Sequence, residues 1–475
     1  MSGTYTPKKL IVCCDGTWKD SDSSAFLGTG VSWLWRGKRQ VATNVTKISQ
    51  AILPLDDQGR QQIIYYQAGV GTSGNFIERT VGGALGVGLA PNISEAYSFV
   101  SSNYVEGDEI YLIGFSRGAF TARAIGGIIG DFGLLTSTGQ GYLPAIVEDW
   151  EHAGQTGYNT ELANELPGFT IPSASTSDPK SYVKQYRAEL LRIGLTRDAT
   201  IPIKAIGVWE TVGSLGIPVS PWFQRIGFPL VLRFYRFYNT DLGSNVENAF
   251  QALALDEKRA AYRPTLWQKL PGMQANLKQT WFPGVHSNVG GGYLDSGLSN
   301  NTLAWMMSNL APFLKFDADF VRRQYEQNQA RLEKQSVAQA ALKWAAGQLK
   351  NTSSGLRGLL GVTVRTPGRY HVLNKKSLTV TEGDPLQDTN EHIHVSARSR
   401  EITGGLNEKD RLVAYKPKAL RRSEYELLDP HAEPGKAAWR YVGREKQFRD
   451  EVLPEDELGV FEKEIFRDYV TKART

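Results

Sequence analysis

The stretch EIYLIGFSRGAFTARAIGG, from Glu109 to Gly127, constrains this chain more than any other. Its front half predicts a strand, because Ile110, Tyr111, Leu112 and Ile113 form a β-prone apolar run and Gly107-Asp108 just before them suits a turn. Gly114-Phe115-Ser116-Arg117-Gly118 follows, a G-x-S-x-G, and then a run of small residues suited to a helix lying close against a sheet. A serine that leaves a strand on a sharp turn needs neighbours without Cβ atoms, or the helix that follows collides with the sheet. If the helix starts at the serine, its first N–H groups and the positive end of its dipole face any oxyanion formed there. In a chain with 48 glycines the bare pattern also arises by chance, as a packing turn with no chemistry. The flanking strand and helix favour a nucleophile elbow.

At 475 residues the chain is one enzyme-sized domain with additions, or two to three units. Leu10 to Cys14 is fully apolar and predicts a buried parallel strand ending in the turn Asp15-Gly16-Thr17-Trp18. Thr43-Asn44 suits the cap of a helix running to Leu53, Gln62 to Tyr66 a second strand, and Pro91 onward a helix. Tyr142 to Ala153 and Ser181 to Ile193 have helical spacing within an insertion at about 135–200. Ile201 to Trp209 is a strand ending in Glu210-Thr211, Asn245 to Lys258 predicts a helix, and Trp281 to Val285 a strand that delivers His286 toward Gly290-Gly291-Gly292. Strands alternating with helices to about residue 312 predict a doubly wound, mostly parallel α/β sheet. From 313 to 475 the expectation is a mainly helical and irregular extension, with a long charged helix over Phe320 to Leu349 and a charged helix at the end.

The net charge of +5, from 54 basic against 49 acidic residues, is no nucleic-acid footprint. Cys13 and Cys14 are adjacent on a strand, so their side chains point to opposite faces and no disulfide framework exists, which fits a reducing compartment. The N-terminus lacks a secretory apolar region and no stretch approaches about 18 apolar residues, so a soluble, cytoplasmic protein is expected. Gly69 to Gly74 is formally a G-x-G-x-x-G, but no helix opens inside it and no acidic residue ends the next strand, so no dinucleotide cofactor is expected, nor a metal. Two aromatic and basic segments, Trp33 to Arg39 and Pro221 to Tyr238, suit either buried anchoring or transient contact with a membrane surface.

A serine is a poor nucleophile until a base takes its proton, and the base needs an acid to fix its tautomer. Of six histidines, only His286 directly follows an apolar strand of the sheet region and enters a glycine-rich stretch. Glu210 ends the strand between serine and histidine. The order Ser116, Glu210, His286 is that of α/β-hydrolases, although a lone strand-end histidine is more often structural.

The motifs DGTW, YYQAGVGT, GDEIYLIGFSRGAFTARA, VWETVGS, ALDEKR and WFPGVHSNVGGGY occur in this order between about residues 8 and 312. Together they resemble the α/β-hydrolase-like family that includes the phospholipase effectors of bacterial type VI secretion, and more closely its fungal members. RTPGRYHVL and IHVSARSR are weaker echoes beyond. The resemblance implies a Ser-Asp-His-type lipolytic site with the nucleophile at Ser116 and the base at His286. It departs at Glu210 and Asn288, where bacterial members often carry Asp, which leaves Asp15 and Asp256 as alternative acids. The oxyanion would be held by the backbone N–H of Arg117 with one from Gly16 or Thr17. The expected activity is metal-independent hydrolysis of a carboxylic ester, small-molecule or lipid, including phospholipid acyl esters. A non-catalytic scaffold on the same fold is one alternative, and a phosphate-handling enzyme using Arg117, Arg123 and the glycine loops as anion donors is another.

Overall fold

A strand apolar on both faces can sit only inside a layered sheet. Lys9–Cys14 (β1) is such a strand, all six residues buried. In the computed structural model the described residues are 5–16, 41–69, 89–155, 157–170, 178–197, 200–212, 240–335, 344–352, 362–376, 379–449 and 451–472. β1 pairs in parallel with Gln62–Gln67 (β2) on one side and Glu109–Phe115 (β3) on the other, and Cys14 lies opposite Gly114. Ala205–Trp209 (β4), Asn248–Ala254 (β5) and Asn276–Phe282 (β6) continue the parallel ladder beyond β3. Glu391–His394 (β7), Tyr425–Leu428 (β8), Ala438–Tyr441 (β9) and Val452–Asp456 (β10) extend it at the far edge. The sheet order is β8-β9-β10-β7-β6-β5-β4-β3-β1-β2, and only the pairs involving β9 are antiparallel.

Helices cover both faces. On one, Leu10, Val12, Ile110 and Leu112 meet Leu89–Asn103 (α2) and Arg117–Phe132 (α3), over which Leu143–Glu151 (α4) and Pro179–Arg192 (α5) close the core. On the other, Ile11, Cys13, Tyr111 and Ile113 meet Asn44–Ala51 (α1) and Gly297–Leu310 (α7), which follows the short helix His286–Gly290 (α6). Cys13 and Cys14 therefore belong to different cores, both as free thiols, and burial pushes Cys14 up to about 12. Thr43 caps α1, its hydroxyl accepting the amide of Thr46.

The structure departs from the sequence expectation in three places. The helix expected over Asn245 to Lys258 is the strand β5. Ala, Gln and Leu are good helix formers, but all seven β5 residues are buried between two parallel neighbours, and that packing overrides propensity. The last strand before His286 ends at Phe282, and His286 opens α6. Residues 313–475 hold Phe320–Lys334 (α8), which stops short of the expected Leu349 because residues 344–345 form a turn with Ala345 at φ 65°, and Val395–Thr403 (α9) and Val460–Lys472 (α10), but also the four strands that prolong the sheet. The aromatic and basic segments 33–39 and 221–238, and residues 70–74 of the glycine motif, lie outside the described residues. Among the described residues no helix is long and apolar enough to cross a membrane.

Candidate active site

Ser116 leaves β3 with φ 57° and ψ −118°, a left-handed conformation that costs an L-residue about 1–3 kcal/mol. What holds it there is close packing. The Ser116 amide donates to the Trp209 carbonyl at 3.0 Å, tying the turn to the end of β4. A Cβ on Gly114 would collide with the carbonyl of Gly118, and one on Gly118 would collide with the carbonyl of Cys14 and lie 2.7 Å from that of Asp15. Only glycine lets α3 start this close to β1. Ser116 is the N-cap of α3, so the Arg117 amide is among the first-turn donors without an intrahelical acceptor. The Ser116 hydroxyl makes no hydrogen bond among the described residues.

On the adjacent strand, Glu210 follows β4 with φ 46° and its side chain is fully buried. Its Oε2 lies 3.2 Å from Nδ1 of His286, itself 4% exposed. A carboxylate can only accept, so Nδ1 donates to it, which in a neutral imidazole leaves the lone pair on Nε2. The same Oε2 accepts from Nη2 of Arg365 at 3.0 Å, while Oε1 accepts from the Ala254 amide at 2.7 Å. Arg365 also donates to the carbonyls of Tyr262 at 2.7 Å and Glu257 at 3.3 Å. The Glu257 carboxylate accepts the His286 amide at 3.2 Å. Burial works against its ionisation, but bonds from Arg259 outweigh that and take it down to about 2. The imidazole is held between aromatic rings, Phe115 at 4.7 Å and the edge of Tyr262 at 4.8 Å.

The alternative acids are engaged elsewhere. Asp15 accepts hydroxyls from Tyr66 at 2.6 Å, Thr43 at 2.8 Å and Thr46 at 2.9 Å; burial raises its pKa and these bonds oppose the rise. Its Oδ1 also accepts the Gly16 amide at 2.7 Å, so that N–H faces Asp15. Asp256 accepts from the Gly284 amide and the Tyr415 hydroxyl, both at 2.8 Å. The Asn288 side chain bonds the Val285 amide and the Gln348 carbonyl. Thr17 lies outside the described residues. Sequence reasoning missed Arg365, Glu257 and Tyr262; the only signal for Arg365 was the RTPGRYHVL echo. It also missed a second serine, histidine and carboxylate set, His394 with Nδ1 2.6 Å from Ser396 Oγ and Nε2 2.7 Å from Glu462 Oε1. Those three residues are at most 2% exposed, so the set joins β7 and α9 to α10 where no substrate can enter. Among the described residues no group of three or more His, Cys, Asp or Glu is placed to hold a metal.

A mostly parallel sheet covered by helices on both faces, with a strained serine at a strand-to-helix turn, defines the α/β-hydrolase-like class. The chain belongs to the family described as T6SS, Phospholipase effector Tle1-like, catalytic domain, which it matches over residues 8–309. It is also similar to the uncharacterized protein YEL023C of Saccharomyces cerevisiae, 26% identical over 286 residues, which are 57% of this chain and 34% of the yeast protein. The chain thus spans about a third of that relative's length. A solved structure, the Tle1 effector bound to the VgrG spike from the type 6 secretion system, is 19% identical over 61% of this chain and 52% of that chain. At a TM-score of 0.27 this likeness carries nothing further.

Two stability measurements follow from this geometry. Gly118→Ala should lower the unfolding free energy by about 3 kcal/mol or more, since the clash is with backbone that has nowhere to move. Arg365→Met should cost about 3–5 kcal/mol, because it leaves the Glu210 carboxylate buried without its cation. In urea titrations, the Glu210→Gln and Arg365→Met double variant should lose less than the sum of the singles; strict additivity would mean the pair is not coupled.

Proposed function

We propose that this chain hydrolyses carboxylic esters of lipids, phospholipids included, with Ser116 as nucleophile, His286 as general base and Glu210 as the acid that orients it. The observation that carries this reading is the 3.2 Å contact between Glu210 Oε2 and His286 Nδ1, at the same sheet edge where Ser116 leaves β3 on a strained turn. The family's description as phospholipase effectors supports a lipid ester as the substrate class. Ser116 Oγ attacks the ester carbonyl as its proton passes to Nε2 of His286, and the imidazolium is stabilised by Glu210. The tetrahedral oxyanion is received by the Arg117 amide. The second donor is Thr17, or Gly16 once its amide leaves Asp15. Collapse expels the alcohol, which takes the proton from His286, and water repeats the cycle on the acyl-enzyme. A lipid substrate implies passing contact with a membrane surface.

Activity is measured on p-nitrophenyl esters of rising chain length and on phospholipid vesicles. Ser116→Ala should lose at least about 10³-fold in kcat with its thermal midpoint nearly unchanged, because the hydroxyl contributes no packing. His286→Ala should match it within about ten-fold, and the double variant should be no slower than either, since the residues act as one unit. A Ser116→Ala protein that keeps most of its activity would make the elbow structural. Glu210→Gln should cost several orders of magnitude in kcat, because the amide favours the wrong imidazole tautomer, while Glu210→Asp should be milder.

A further inference from the structure

The helix that begins at Ser116 carries Arg123 seven residues on, about 10 Å along the axis at 1.5 Å per residue. Side chains on a helix tilt back toward its N-terminus, so Arg123 leans toward the serine end. It lines a cavity of about 150 Å³ beside α3, walled by Phe120, Trp150, Leu242 and Trp267. That is several water volumes of about 30 Å³ each, enough for a phosphate group and too small for a whole lipid.

Arg123 is oddly placed for a cation. Its guanidinium lies over the Trp267 ring at 4.1 Å, and its Nη1 donates to the Thr265 carbonyl at 2.6 Å. No carboxylate pairs with it among the described residues, and burial lowers its pKa to about 9. It stays partly accessible because the cavity opens on it, although protein surrounds it. A desolvated charge is costly unless paired, and a guanidinium has five donors, of which one is used among the described residues. Beside it, the buried Thr211 hydroxyl on the cavity wall has no hydrogen-bond partner among the described residues.

The two carboxylates that line the cavity have their own partners. Asp131, eight residues beyond Arg123 on α3, accepts from Trp150 Nε1 at 2.7 Å and lies near Arg187 and Lys180. Asp241 accepts from Gln268 at 2.9 Å and pairs with Lys180 at 3.3 Å. An anion is therefore placed at the Arg123 end, Arg123 being the one cationic side chain among the described lining residues. That end adjoins the reacting groups through three segments: α3 itself, Thr211 directly after Glu210, and the loop from Tyr262, against the His286 ring, to Thr265 and Trp267.

We infer that this cavity is a phosphate-binding subsite, in which Arg123 and the Thr211 hydroxyl take the phosphodiester of a phospholipid whose acyl ester lies at Ser116. The binding of phosphate stands on the cavity; the lipid as its source rests on the ester-hydrolase reading. Two measurements separate them. Inorganic phosphate should raise the thermal midpoint of the wild type saturably and that of Arg123→Gln hardly at all. The kcat/KM ratio of dihexanoyl phosphatidylcholine to p-nitrophenyl hexanoate should fall at least about ten-fold in Arg123→Gln, the size of one charge-assisted hydrogen bond, and recover in part in Arg123→Lys. Thr211→Val, which keeps the shape and removes only the hydroxyl, should weaken phosphate several-fold and serves if Arg123→Gln does not fold. Phosphate stabilisation with an unchanged ratio assigns the subsite to free phosphate. No effect of phosphate on the wild type, or an equal effect on the Arg123 and Thr211 variants, overturns the proposal. Because the phosphate measurement needs no turnover, a wild type that cleaves neither ester would refute the hydrolase reading and leave the subsite to be judged by its own result.

Discussion

A single carboxylate oxygen, Oε2 of Glu210, joins three remote parts of the chain. It accepts from His286 after β6 and from Arg365 in the C-terminal region, and all three side chains are 4% exposed or less. In so dry a place the desolvation of a carboxylate is offset only if its lone pairs are met, and the Ala254 amide meets Oε1. Remove Arg365 and Oε2 loses one of its two donors; remove Glu210 and the imidazole Nδ1 loses its acceptor. The region beyond the family match is thus no appendage. It supplies Arg365 to the acid and four strands to the sheet.

The second constraint is steric. The turn at Ser116 is strained, and the strain persists because α3 is locked onto β1 by contacts that admit glycine alone at positions 114 and 118. Parallel strands then bring the ends of β3, β4 and β6 to the same edge, so that Glu210 and His286, distant in sequence, meet at the edge where Ser116 leaves β3. Ligands of open α/β sheets bind outside this edge for the same reason.

Much of this was legible in the sequence. The sharp strand-to-helix turn at Ser116 could be read because strand, glycines and helix are contiguous, and the meeting of Glu210 and His286 because each comes shortly after a strand of one sheet. Thr43 announced its cap, and the adjacent cysteines had to face apart. Other features had no local signature. Arg365 meets Glu210 across 155 residues, and nothing in a chain with 54 basic residues marks one arginine as buried. β5 was hidden because helix-forming residues fill a strand that only its neighbours make necessary. β7 to β10 were hidden because strands of four or five residues acquire meaning only once β6 offers them an edge.

The central claim is that Ser116 is a nucleophile activated by His286, and a fluorophosphonate probe followed by mass spectrometry of the labelled peptide tests it most directly. The account predicts a single adduct on Ser116 in the wild type, and labelling at least about 100-fold slower in His286→Ala, the size of a lost general base. Absence of an adduct, an adduct on another residue, or labelling of His286→Ala at the wild-type rate would contradict it.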